Sequence, residues 1–95
     1  MPSNFDHICA QLRRSSVKVR LMALGENAGE QEGLVIRLDP QTKILPVLIH
    51  ETLHLIYPDW TEKRVLREEA RIASRLSNRQ YRKLFFLLNE KLRER

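Results

Sequence analysis

The stretch Val47-Leu48-Ile49-His50-Glu51-Thr52-Leu53-His54-Leu55-Ile56-Tyr57 constrains this chain more than any other. It lies between Pro46 and Pro58, is apolar on both flanks and has uncharged residues at 52 and 53, as a buried helix wants. Pro46 suits the first helical turn, where a missing N–H costs nothing, and Pro58 should end the helix near Tyr57. On such a helix, residues four apart are separated by one turn plus about 40° of rotation and about 6 Å of rise. His50 and His54 therefore present their imidazoles side by side, a two-point clamp for one metal ion. Glu51, about a quarter turn away from His50, can reach a water on that ion but is awkwardly placed to ligate it. The competing reading is a core helix whose two histidines are satisfied by hydrogen bonds.

The run from Leu34 to about Ala73 reads as a strand, the His50-Glu51-x-x-His54 helix and a second helix carrying glutamates. In this it resembles the zincin metallopeptidases, and within them the very small gluzincin-type proteins called minigluzincins. The likeness covers less than half of the chain, and its specific core is the His50-Glu51-x-x-His54 motif. It implies zinc, a water nucleophile and hydrolysis of a peptide or unfolded protein, with Glu51 as general base. It also implies that the exposed edge of Leu34 to Asp39 is a platform along which an extended substrate lies, the alternative being a strand with no open edge. Tyr57, one turn past Leu53, is a candidate oxyanion donor, with plain packing as the alternative.

Catalytic zinc usually takes three protein donors and leaves one position for water. His50 and His54 supply two. The zinc endoribonucleases of bacterial ribosomal RNA maturation bring a third histidine six residues after the second, but here that position is Trp60, and His7 is the remaining histidine. A carboxylate is the better choice, from Glu62, Glu68 or Glu69. If the chain reverses at Pro58-Asp59, the next helix returns antiparallel to the first; Glu62 and Glu69, seven apart, then share its inward face with Val65 and Leu66, while Glu68 is rotated away. Glu62 follows His54 through a short connection and is taken as the third ligand, with Glu69 as the alternative because gluzincins with longer spacers place it farther along.

The rest of the chain predicts a single α+β domain over residues 1–95, a small antiparallel sheet packed against about four helices. Phe5, Ile8, Cys9 and Leu12 have helical spacing between Asn4 and Arg14, with Asn4 as a cap. Val17 to Leu24 alternates and then turns wholly apolar, a strand more deeply buried toward its end. Gly25 to Gly33, with three glycines and three glutamates, reads as a solvated loop, and Leu34 to Asp39 as a second strand that pairs most simply antiparallel with the first, a further strand or parallel pairing being the alternatives. Asp59 with Glu62 gives capping-box spacing for a helix running to about Arg75, with Val65, Leu66, Ile72, Ala73 and Leu76 as its buried stripe. Ser77 with Gln80 repeats that spacing before a last helix whose Tyr81, Leu84, Phe85, Leu88 and Leu92 share one face, widened by Phe86 and Leu87. That width is core first and a homodimer contact second.

Cys9 is the single cysteine, which excludes an internal disulfide framework and fits a reducing compartment. It could also reach the metal in a latent form. Met1 to His7 lacks the basic start and apolar run of a secretory signal, and no segment is long enough to span a bilayer, so a soluble cytoplasmic protein without a membrane partner is the default expectation.

The formal net charge is +5, and the basic excess lies from Thr61 onward. Arg64, Arg67, Arg71, Arg75, Arg79, Arg82 and Lys83 could therefore serve a nucleic-acid-binding protein or a metal-dependent nuclease, although no aromatic residues interleave with them as a stacking platform. Three functions are thus in view: a zinc metallopeptidase, a nucleic-acid-associated protein, and an inactive scaffold that keeps the zincin fold.

Overall fold

The computed structural model describes residues 3–94. Helix α1 (Asn4–Leu12) leads to strand β1 (Lys18–Leu21), then β2 (Gly29–Glu32) and β3 (Val35–Leu38), followed by three helices, α2 (Ile44–Ile56), α3 (Glu62–Arg75) and α4 (Asn78–Arg93). The α+β class, with a small sheet against four helices, stands. The sheet itself is mixed rather than antiparallel: its order is β1-β3-β2, with β3 parallel to β1 and antiparallel to β2.

The third strand comes from the glycine-rich stretch expected to be a solvated loop. Residues 29–32 carry no apolar side chain, so they have no strand periodicity to read; they become a strand because β3 offers a free edge. A two-residue turn at Gly33-Leu34 joins them, and Gly33 has φ +58°, the left-handed backbone such hairpins favour. Insertion of this hairpin turns β3 around, which makes its pairing with β1 parallel. β3 is consequently the central strand with both edges paired, so the substrate-platform expectation for an open edge of Leu34 to Asp39 is corrected: the edge strands are β1 and β2.

The core forms where α1, α2 and α4 meet the sheet. Ile8 and Leu12 of α1, Val19 and Ile36 of the sheet, Leu48, Ile49 and Leu53 of α2, Val65 of α3 and Leu84 of α4 are fully enclosed. α2 packs on β2 and β3, α4 on β1, and α3 on α2. The first strand is buried early, at Val17 and Val19, and exposed late, at Leu21 and Met22, the reverse of the expected order.

Helix starts follow local chemistry. Ser3 rather than Asn4 caps α1, in a capping box with Asp6. Thr61 rather than Asp59 caps α3, its hydroxyl accepting from the Arg64 amide at 3.1 Å, because residues 58–60 are used in the turn that Trp60 closes on the Tyr57 carbonyl. Ser77 and Gln80 form the expected capping box of α4. Leu66 is exposed on α3 instead of buried, and Tyr81, Phe85 and Phe86 are exposed on α4, whose inward face is Leu84, Leu87, Leu88 and Lys91. Among the described residues no helix is long and apolar enough to cross a membrane.

Candidate metal centre

The α2–α3 corner brings the candidate ligands together. The rings of Tyr57 and Trp60 stack at 4.0 Å with 5° between their planes, and the Arg64 guanidinium lies 4.1 Å from the Trp60 centroid. This tight corner sends α3 back along α2, so Glu62, in the first turn of α3, faces the last turns of α2.

His50 and His54 point their Nε2 atoms at one another's flank, 3.2 Å apart. Glu62 straddles them: Oε1 is 2.7 Å from His50 Nε2 and Oε2 is 2.7 Å from His54 Nε2. His50, His54 and Glu62 thus form a group that could hold a metal ion. Tetrahedral zinc with bonds of about 2.0–2.1 Å sets its donors about 3.3 Å apart. The two nitrogens already match that spacing; Glu62, the most exposed of the three, needs to withdraw by only a fraction of an ångström. Two imidazoles and one carboxylate are also the donor chemistry that zinc takes at open sites. The residues fit the ion.

Glu69, the alternative ligand, reaches the other side of the first histidine: its Oε1 is 2.7 Å from His50 Nδ1. With Nδ1–H donating to Glu69, the Nε2 lone pair of His50 is directed into the cluster. Glu68 is turned away as expected, accepting from Asn4 Nδ2 at 3.0 Å and pairing with Arg71. His7 is exposed on α1, and Cys9 is sealed in the core, its thiol pKa raised by burial, so neither belongs to the cluster. The Tyr57 hydroxyl is engaged with α1, donating to Asn4 Oδ1 at 2.8 Å.

Glu51 sits beside the cluster at 8% exposure. Burial raises its pKa, and the neighbouring imidazoles of His50 and His54 oppose that rise. A cavity of about 280 Å³ opens over it, lined by His50, Glu51, Glu62 and Glu69 on one side and by Ala28, Gly29, Val47 and Leu66 on the other. Thr52 is buried behind, its hydroxyl satisfied by the Leu48 carbonyl at 2.7 Å.

The sequence reading missed the β2 wall of this cavity. Gly29 belongs there because a Cβ at that position would lie 2.5 Å from Val47 Cγ1 and about 3.1 Å from Glu51 Cγ. The signal was faint: one glycine in a run of three, with nothing to say which helix it would touch. No protein-family model matches the chain, and no significant match was found among curated proteins or solved structures.

Proposed function

We propose that this chain is a small zinc-dependent metallopeptidase of zincin type. The observation that carries the reading is the convergence of His50 Nε2, His54 Nε2 and the Glu62 carboxylate on one point, with the buried Glu51 carboxylate at the same cavity. His50, His54 and Glu62 would hold the ion, and Glu69 orients the His50 ring. When bound, the ion would supply Lewis-acid polarisation of a scissile carbonyl and acidify a water. Glu51 would accept the proton of the water that adds to the carbonyl carbon and return it to the leaving nitrogen as the C–N bond breaks. Burial in the cavity wall raises the Glu51 pKa, the direction that favours a carboxylate able to take a proton.

The substrate in this reading is an extended peptide or unfolded segment. It lies along β2, the edge strand that walls the cavity, and adds to the sheet through main-chain hydrogen bonds. The buried, unpaired Cys9 fits action in a reducing compartment such as the cytoplasm.

Metal analysis and hydrolysis of an unstructured protein test the proposal together. Unmutated protein should hold zinc and cleave, a chelator should stop cleavage and zinc restore it. Glu51→Gln should keep the metal and lose hydrolysis, whereas His50→Ala should lose both. Equal zinc content in His50→Ala and unmutated protein would overturn the metal site; zinc without turnover would reduce the chain to a scaffold.

A further inference from the structure

Away from the metal centre, three aromatic side chains are exposed together on α4. Tyr81, Phe85 and Phe86 are 53%, 50% and 61% exposed, although the same helix has a fully sealed inward face. At about 100° per residue, Phe85 and Phe86 lie on either side of Arg82 and Asn89, with Arg79 beside Phe86. A shallow groove of about 380 Å³ runs between them, lined by Tyr81, Arg82, Phe85, Phe86 and Asn89. Among the described residues, the ion pairs leave Arg79 and Arg82 without a carboxylate partner. Aromatic rings therefore do interleave with the arginines, because the residues that would be core in an isolated amphipathic helix are on the outside here.

We propose that the outward face of α4 binds single-stranded nucleic acid, with Phe85 and Phe86 stacking on bases and Arg79 and Arg82 holding phosphates. Flat π-faces spaced by cations are the chemistry that takes unpaired bases with little regard to sequence. The charge complementarity is general as well as local, since the chain carries +5 and its basic excess lies in α3 and α4. Other occupants fit less well. A bilayer requires the apolar and basic residues to be segregated, and inserting Phe85 and Phe86 would drag Arg82 and Asn89 below the headgroups. A second copy seated on this face would take the guanidiniums of Arg79 and Arg82 out of water, which costs free energy unless carboxylates meet them. The proposal does not rest on the metal site.

Fluorescence anisotropy of labelled oligouridylate and oligodeoxythymidylate, with a chelator present throughout, tests it. Binding should appear below about 100 µM protein at low salt and weaken as salt rises, with a log–log slope of magnitude about 1.4–2.1 for two or three phosphate contacts. Phe86→Ala should weaken it about tenfold, and Arg82→Gln should lower the slope. Phe86→Leu keeps apolar bulk but loses the flat ring, so it should also weaken binding while circular dichroism shows an unchanged fold. Absence of binding would overturn the proposal, as would binding indifferent to Phe86→Leu and Arg82→Gln. Sedimentation with phosphatidylserine vesicles in place of oligonucleotide binding would assign the face to a membrane surface instead.

Discussion

Glu69 Oε1 lies 2.7 Å from His50 Nδ1, nineteen residues away in the chain and on a different helix. The contact fixes the ring that would supply one of the two nitrogen donors of the proposed metal site, and orienting partners of this kind contribute about 10- to 100-fold in metal affinity. Glu69→Ala should weaken zinc binding by about that factor, read by competition with a chromophoric chelator. Glu62→Ala would remove a proposed donor outright and should cost more. If Glu69→Ala were as damaging as His50→Ala while Glu62→Ala were mild, Glu69 would be the ligand and Glu62 a bystander.

Gly29 is a point where β2 lies against the Glu51 side chain. A Cβ there would press on Val47, a β-branched side chain with little freedom to turn, and on Glu51 itself. Gly29→Ala should therefore lower hydrolysis while zinc content is kept, with a loss of about 1–3 kcal/mol in stability from overpacking. Full activity in that variant would show that the strand yields and that Glu51 is not held by it.

Lys91 stands on the buried face of α4, and its ammonium ties that helix to the α1–β1 connection. It donates to the Val17 carbonyl at 2.9 Å and to the Arg14 carbonyl, with Glu94 at 3.4 Å. Lys91→Met keeps the stem and removes the donors. The Arg14 carbonyl still has the Val17 amide, so the Val17 carbonyl bears most of the loss. Urea denaturation should show a destabilisation of about 1–3 kcal/mol; an unchanged midpoint would mean that water replaces the ammonium at no cost.

Asp39 follows β3 and accepts from the Leu24 amide at 3.1 Å and the Gln41 amide at 2.9 Å. These backbone donors hold its carboxyl below the ordinary range. A carboxyl more acidic folded than unfolded adds stability above its unfolded pKa and gives that up as pH falls through the lower folded value. The melting temperature of Asp39→Asn should therefore lie below that of unmutated protein at neutral pH, with the gap closing toward strongly acid solution. A gap constant across the pH series would sever the link to ionisation.

Local patterns were readable where the physics is local. The helix carrying His50 and His54 was bounded by Pro46 and Pro58 within a residue or two, and the Ser77-Gln80 capping box was legible because both partners lie in one turn. Strand β2 was not, since Gly29 to Glu32 has no apolar alternation and acquires its conformation from the edge of β3. The outward aromatics of α4 were misread for a related reason: helical spacing marks Leu84, Phe85 and Leu88 as one stripe, yet which edge of a wide stripe is covered depends on where β1 and α1 sit.

His50, Glu51 and His54 share a helix face in any chain that makes this helix, so their juxtaposition follows from the sequence and the 3.6-residue period alone. The role of each glutamate on α3 does not. Glu62 and Glu69 are seven residues apart on one face, and periodicity treats them alike. The stacked Tyr57–Trp60 corner sets how far α3 slides along α2, and that displacement puts Glu62 at the Nε2 atoms and Glu69 at His50 Nδ1. Packing between helices fixes a translation that no spacing within one helix can specify.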